Sequence, residues 1–279
     1  KTHELTADQF DFGSGNTCQI RGLTDPPAAN KGATLIATLK KQKPKAKQKI
    51  RNRVKSVVVN FSKDAASGIG TTTLNDGLTY GAYPYGTRVQ DKNISINDAD
   101  IIEVLSIYES ADTSDPSSPK VNLSSIVTQS TTTNELIIGE QIIGQSSDAV
   151  AMVAEKPSDS QITIIYQNEH LFTEGEIVNF QESGSSAVVS SLDSPSFDIS
   201  PNFSFVDGQQ STIYNIGQIK RKFDSDSPSK KIKIYYSNGS FDSADNGDFI
   251  TANSYDQYDY GIDIPKLNGT SNTDMIDIR

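Results

Sequence analysis

The chain has 279 residues and a formal net charge of −10, with 35% hydrophobic residues and a mean hydropathy of −0.45. A single cysteine, Cys18, excludes an internal disulfide and any zinc site built from several cysteines. No apolar run approaches the roughly 20 residues that span a bilayer, so no membrane insertion is expected. The length exceeds that of one usual hydrophobic core and predicts two or three small domains. Because the numbered sequence begins at Lys1 and not at Met, we interpret it as part of a longer polypeptide.

Strand signals occur along the whole chain. Helical periodicity is nearly absent, and β-branched and aromatic residues form short runs at 34–39, 57–61, 101–108, 162–166 and 232–236. Turn-forming pairs separate these runs, among them Asp115-Pro116, Asn238-Gly239 and Asn246-Gly247. The pattern predicts an all-β, multi-domain protein of small sandwich-like or barrel-like modules.

The first distinctive element is a basic segment. Nine cations lie between residues 40 and 55 with no acid among them, and the remaining 16 basic and 35 acidic residues leave the rest of the chain at −19. From residue 41 onward the cations occupy every second position, which on an extended strand places them on one face. The candidate subunit contact consists of Lys41, Lys43, Lys45, Lys47, Lys49, Arg51, Arg53 and Lys55.

Three interpretations of the basic segment are open. It could contact the acidic surface of a neighbouring subunit, or it could protect a sheet edge against aggregation, for which alternating lysines are well suited. It could also bind nucleic acid by counterion release. The lack of aromatic residues within the segment argues against the nucleic-acid interpretation.

Tyrosines cluster in two places, at residues 80–86 and at Tyr255, Tyr258 and Tyr260. Exposed tyrosines beside Asp and Gly could bind glycans or another protein. The alternative is ordinary packing of half-buried tyrosines at strand ends.

The middle of the chain contains a gap-free repeat at an offset of 36 residues. Gly139-Glu140 returns as Gly175-Glu176, and other identities and apolar positions follow the same offset. Each unit predicts a small meander in which Gly supplies a turn and two strands flank a polar loop. One unit has too little core to stand alone, so two are expected to share one core. Asp148 stands where the second unit has Gly184, which leaves open the loop conformation of the first unit.

These observations predict three regions. Residues 1–125 form an N-terminal β region with the basic strand, residues 126–195 form the tandem repeat module, and residues 196–279 form a C-terminal β region. The repeat module is expected to be inserted between strands of one surrounding β-domain that the C-terminal region completes. Three domains in series are the alternative.

The sequence offers no convincing catalytic set. It has no glycine-rich phosphate loop, no nucleophile elbow and no Cys/His arrangement. The acidic loop 242–248 suggests calcium, but Ala244 stands where an EF-hand requires an oxygen ligand and Asn253 where it requires a bidentate Glu. A solvated turn is the simpler interpretation. We therefore expect no enzyme activity, no cofactor and no metal.

Four segments of the chain carry a resemblance to a known class of protein. They are LNDGLTYGAYPYGTRVQD (Leu74 to Asp91), NISINDADIIEVLSIYES (Asn93 to Ser110), NFSFVDGQQSTIYNIGQIKRK (Asn202 to Lys222) and the tail from Gly247 to Arg279. They resemble large virion structural proteins of contractile-tailed phages that infect marine cyanobacteria. The repeat is similar to modules that occur in several copies in such tail proteins.

The resemblance implies a structural component of a phage tail, baseplate or attached fibre that acts by assembly. The expected partners are other virion subunits, in a symmetric homo-oligomer within a larger assembly, and the expected location is the virion, assembled in the host cytoplasm. The alternative function is a receptor-binding or adhesin module that recognises host surface glycans through the tyrosine-rich loops. The resemblance assigns no functional residues.

Overall fold

The structure is a computed structural model. The structure describes residues 4–12, 18–23, 34, 36, 43–60, 88–127, 136–193, 196–206 and 216–258. The chain divides into two compact units, residues 1–43 and 44–279. The described residues are mostly strands, with short 3-10 helices at Ala7–Gln9, Ser200–Asn202 and Ala252–Tyr255, which confirms the predicted all-β class. None of the described helices has the length and apolar character needed to cross a bilayer.

The first unit contains an antiparallel hairpin of β1 (Phe10–Phe12) and β2 (Cys18–Ile20). Asp11 and Arg21 form an exposed ion pair beside it.

The second unit contains two antiparallel sheets that share one core. Their strands are β3 (Lys49–Val59), β4 (Asn93–Ala99), β5 (Ile101–Glu109), β12 (Phe197–Asp198), β13 (Phe203–Val206), β14 (Ile216–Arg221) and β15 (Ile232–Phe241). The four-stranded sheet has the order β12-β5-β15-β3, and the three-stranded sheet has the order β13-β14-β4. Apolar side chains from both sheets, including Ile107 and Ile234 from one and Ile94 and Ile219 from the other, are fully buried in one cluster. Strands from before residue 125 and after residue 196 therefore build both sheets of a sandwich.

The repeat region folds as a closed barrel. Its strands are β6 (Lys120–Val127), β7 (Gln141–Gly144), β8 (Val150–Ser158), β9 (Gln161–Tyr166), β10 (Ile177–Phe180) and β11 (Ser186–Asp193). They close in the order β10-β11-β6-β9-β8-β7. Buried side chains such as Ile142, Ile164, Val178 and Val189 fill the interior. Closure leaves no free edge among these strands, which suits a small module with modest apolar content.

The two repeat units are related by an approximate twofold axis. Strand β7 becomes β10 at the 36-residue offset, and the start of β8 becomes the start of β11. The two equivalent strands pair antiparallel, and Ile143 lies opposite its own counterpart Asn179 at the centre of the pairing. The duplicated units thus meet through two hydrogen-bonded strands, as the subunits of a twofold dimer can.

The turns of the two units keep the same backbone conformation. Gly139 and Gly175 have φ of +87° and +85°, a region that glycine adopts without steric cost. Asp148 and Gly184 are both left-handed, with φ of +53° and +66°. The Asp in the first unit therefore does not alter the loop, which answers the question that the sequence left open.

The barrel packs on the four-stranded sheet through a small second core. Tyr235 and Tyr108 of the sheet contact Ala154 and Ile165 of the barrel, and the two tyrosine rings lie edge to face at 6.2 Å. The face of β15 that points away from the sandwich core is therefore covered by the barrel.

One predicted turn is wrong. Asn238-Gly239 lies inside β15, where the side chain of Asn238 is fully buried and accepts a hydrogen bond from Asn52 Nδ2 at 2.9 Å. The register of β15 against β3 shifts between Tyr236 and Asn238, so a bulge replaces the expected reversal.

Candidate functional site

Each repeat unit buries one glutamate of the repeated Gly-Glu pair. Glu140 is fully buried and Glu176 is 6% exposed, although each follows a turn glycine at the barrel surface. Buried carboxylates are costly unless they accept hydrogen bonds or pair with cations. The hydrogen-bond partners of these two explain why a charged residue stands there.

Each glutamate accepts hydrogen bonds from its own turn and from the polar loop of the other repeat unit. Glu140 accepts a hydrogen bond from Ile137 N in its own turn at 2.6 Å, and from Ser183 N in the other unit at 2.9 Å. Glu176 does the same with Thr173 N at 2.6 Å in its own turn and Ser147 N at 3.1 Å in the other unit. The partners are equivalent at the 36-residue offset, so the arrangement is a reciprocal carboxylate clamp formed by Glu140 and Glu176.

The clamp at Glu176 includes two further donors. The hydroxyls of Ser146 and Ser147 donate to the carboxylate at 3.1 Å and 2.9 Å. Burial alone would raise the pKa of Glu176, but the hydrogen bonds from Thr173, Ser147 and Ser146 outweigh it and hold the pKa below the usual glutamate value. The carboxylate is therefore ionised and structural.

The first part of the basic segment contacts the acidic loop that follows β15. Lys41 lies outside the described residues, and Lys43 and Lys45 are exposed. Lys45 N donates to the Asp248 carboxylate at 2.8 Å, and Gln48 N donates to that of Asp245 at 2.6 Å. The hydrogen bonds from Gln48 N and Gly247 N lower the pKa of Asp245.

Two carboxylates of the acidic loop 242–248, those of Asp245 and Asp248, therefore accept hydrogen bonds from backbone amides of residues 45–48. Lys47, which is half-buried, continues this contact through a hydrogen bond from its N to Phe249 O at 2.9 Å. Among the described residues no group of three or more His, Cys, Asp or Glu side chains is placed to hold a metal ion.

The second part of the basic segment forms β3. Lys49 is buried and paired with Asp100, and Arg51 is half-buried. Arg53 Nη1 contacts both carboxylate oxygens of Glu182 in the barrel at 2.6 and 2.7 Å. Lys55 pairs with Asp98 of β4, and its ammonium lies 5.8 Å from the ring centre of Tyr236.

The expectation that all these cations share one face is wrong. Lys55 contacts Asp98 and Tyr236 on the sandwich side of the sheet, whereas Arg53 contacts Gly139 and Glu182 of the barrel. Two physical reasons apply: regular strand structure begins only at Lys49, and the bulge opposite Ser237 shifts the alternation. Lys49, Arg53 and Lys55 thus form ion pairs within the chain.

Strand β3 lies at the end of the four-stranded sheet. In the described part of the chain its strand partner is β15 on one side, and no strand pairs with its other side. Such an edge carries backbone donors and acceptors that another strand can join, and the neighbouring lysines limit which strand will do so.

A polar cavity of about 260 Å³ lies where the barrel meets the four-stranded sheet. On its wall the carboxylate of Glu155 accepts hydrogen bonds from Lys233 Nζ at 2.6 Å and from the Tyr235 hydroxyl at 3.1 Å. Ser118 Oγ donates to the same tyrosine hydroxyl at 2.8 Å. These bonds join the barrel to the sheet.

Two of the predicted glycan-binding tyrosines are core residues. Tyr255 and Tyr258 are 2% and 8% exposed and stack edge to face with ring centres 5.5 Å apart. The Tyr258 hydroxyl donates to Ile50 O at 3.0 Å. Tyr260 and residues 80–86 lie outside the described residues.

Comparison of the chain with models of known protein families, with curated proteins and with solved structures gives no match. The site is therefore defined by its geometry alone.

Sequence reasoning missed the carboxylate clamp and the buried Lys49–Asp100 pair. A signal for the clamp was present, because a glutamate follows the turn glycine at the same place in both units. No comparable signal pointed to the Lys49–Asp100 pair, since its two residues belong to separate parts of the fold.

Proposed function

We propose that the chain is a non-enzymatic structural component of a phage tail, baseplate or attached fibre, located in the virion and acting through contacts with neighbouring subunits. The resemblance of four segments to virion proteins of contractile-tailed phages supports this proposal. The architecture also supports it. In the described sandwich and barrel, the carboxylates of Glu140, Glu176 and Glu155 form hydrogen bonds that join elements of the fold.

The observation that carries the proposal is that β3 lies at the edge of its sheet and follows exposed lysines in the sequence. Lys43 and Lys45 are exposed and stand just ahead of Lys49, the first residue of β3, in the sequence, while the chain as a whole carries −10. Pairing of two β3 strands would bring like charges opposite each other, which is unfavourable. The partner is therefore an acidic surface or strand of a neighbouring subunit, in a symmetric homo-oligomer or in a larger assembly with other virion proteins.

The test has two parts. Gold-labelled antibodies against the purified chain should decorate tails of intact phage particles, and mass spectrometry of washed particles should find its peptides. The double change Lys43→Glu and Lys45→Glu should reduce incorporation into particles or assembly in sedimentation. A matched change at two exposed lysines of the sandwich, Lys92→Glu and Lys220→Glu, should not.

Absence of the chain from particles would refute the virion role. Equal incorporation of both double variants would refute the contact at Lys43 and Lys45. Glycan recognition is the competing function, and selective binding on an array of host surface glycans would support it. Because Tyr255 and Tyr258 are buried, such binding would have to use other tyrosines, those of residues 80–86 or Tyr260.

A further inference from the structure

The ion pair of Lys49 and Asp100 lies in the interior of the second unit. Lys49 opens β3, and Asp100 is the residue between β4 and β5, at the corner where the chain passes from one sheet to the other. Their side chains are only 3% and 13% exposed. Removing both charges from water costs several kcal/mol per ion, so burial favours the neutral amine and the neutral acid over the ions.

Aromatic side chains enclose the pair. The Lys49 ammonium lies 5.3 Å from the ring centre of Phe241 and 5.0 Å from that of Tyr255. The Tyr255 hydroxyl is 3.4 Å from Lys49 Nζ. This environment limits access of water to the Lys49 ammonium and the Asp100 carboxylate.

Gly239 of β15 makes room for the two side chains to meet. A Cβ atom at this position would lie 2.7 Å from Lys49 Cε and 2.9 Å from Asp100 Oδ2. Both side chains therefore lie over the same backbone atom, where a larger residue would separate them.

A second lysine–aspartate pair in the same sandwich shows what is unusual here. Lys55 and Asp98 are also paired, but their side chains are 40% and 26% exposed. Water can solvate both charges there, and an ordinary salt bridge results. Lys49 and Asp100 lack that solvation.

We propose that Lys49 and Asp100 condense to an intramolecular isopeptide bond that links β3 to the β4–β5 corner. A desolvated lysine amine is a nucleophile, and fixed proximity can replace a very large effective concentration of reactant. The proposal does not depend on the virion role, since it concerns the covalent structure of the isolated chain.

The reaction balances without an oxidant, a cofactor or a second substrate. One proton passes from the Lys49 ammonium to the Asp100 carboxylate, which gives an amine and a carboxylic acid. The nitrogen lone pair attacks Cγ of Asp100, so a C–N bond forms and one C–O bond breaks. The hydroxyl leaves with a proton from the nitrogen as water, and the Tyr255 hydroxyl is within reach to relay that proton.

Intact mass under denaturing conditions tests the proposal directly. The wild-type chain should be lighter than its sequence by one water molecule. Lys49→Arg and Asp100→Ala should each have the full sequence mass. The control Lys55→Arg, at the solvated pair, should still lack one water.

Peptide mapping locates the bond. Digestion should release a branched peptide that joins the sequence around Lys49 to the sequence around Asp100. A wild-type chain with its full sequence mass would overturn the proposal. A loss of water that maps elsewhere, such as a cyclised Asp76-Gly77 step, would overturn it as well. Both outcomes are read from the wild-type chain, so they hold even if a variant fails to fold.

Discussion

Each repeat unit buries one carboxylate, and the loop of the other unit surrounds it. All described hydrogen-bond partners of the repeated glutamate are donors. A neutral side chain would therefore bind these loops less strongly than the carboxylate does. Glu176 accepts from three backbone amides, those of Thr173, Ser146 and Ser147, and from two serine hydroxyls. Hydrogen bonds to a charged group are worth more than those between neutral groups.

Replacing Glu176 by Gln should destabilise the barrel. The amide keeps one acceptor oxygen but turns an NH₂ group toward donors, so we expect the free energy of unfolding to fall by about 2–3 kcal/mol. Chemical denaturation followed by circular dichroism measures this. The control Glu174→Gln, an exposed neighbour in the same turn, should change stability by only a few tenths of a kcal/mol. Equal effects of the two changes would contradict the clamp.

The same carboxylate should make stability depend on acid. Because the folded state lowers the pKa of Glu176, the unfolded chain takes up the proton first as pH falls. The contribution of Glu176 is complete above the ordinary glutamate pKa near 4.5 and is lost as pH falls through the lower folded value. Melting temperatures measured from pH 7 to pH 3 should fall less steeply for Glu176→Gln than for the wild type. Parallel curves would refute this role.

At the scale of the residue, the sequence indicated where the special positions were but not what they do. The pair Gly-Glu at 139 and 175 stood out by identity, and its glycines were correctly assigned to turns. The glutamates could not be assigned, because their partners come from the other repeat unit and depend on a twofold relation that spacing alone does not reveal. Lys49 and Asp100 meet only because a strand edge and a sheet corner come together in three dimensions.

At the scale of the element, the two repeat turns have the same backbone but different surroundings. A Cβ at Gly175 would meet nothing within 4 Å, whereas one at Gly139 would meet the side chain of Arg53, with Cδ at 2.7 Å. The first turn therefore packs against β3, and the second is open.

Alanine at the two turn glycines separates backbone strain from packing. Gly175→Ala should cost about 1–2 kcal/mol, the penalty for a side chain at positive φ. Gly139→Ala should cost more, because Arg53 must also move and its contact with Glu182 is disturbed. Thermal and urea denaturation of both variants measure the difference. Equal losses would show that Arg53 does not pack against the first turn.

Most elements were predictable where hydrophobic runs were bounded by turn formers. The run at 101–108 is β5, and the run at 162–166 is β9. The failure at Asn238-Gly239 has a definite cause: the pair satisfies its polar groups inside a bulged strand, against Asn52 and Ala99 O. Local propensity favours a turn there, but pairing with β3 keeps the segment in a strand.

At the scale of the whole molecule, the sandwich and the barrel draw their described strands from the second unit. Residues 1–43 form a separate compact unit with their own hairpin. We therefore expect residues 44–279 to fold without them and to keep the β-rich spectrum and the cooperative melting of the full chain. Circular dichroism and calorimetry of the shortened chain test this. Loss of cooperative melting would show that the first unit is needed for folding.

The closure of the barrel was beyond the reach of the sequence. The repeat predicted two meanders, which correspond to β7–β8 and β10–β11, but β6 and β9 are not equivalent under the 36-residue offset. Strand β6 begins at Lys120, ahead of the predicted module boundary at residue 126. Which strands close a barrel depends on their pairing order, and neither composition nor periodicity encodes that order strongly.

The barrel begins and ends at one place, because Lys120 of β6 pairs directly with Asp193 of β11. Because the two ends of the barrel are neighbours, its insertion does not require the flanking strands β5 and β12 to move apart. Recombination can therefore exchange, remove or multiply such a module while β5 and β12 keep their pairing. This entry point is where we expect related chains to differ in length.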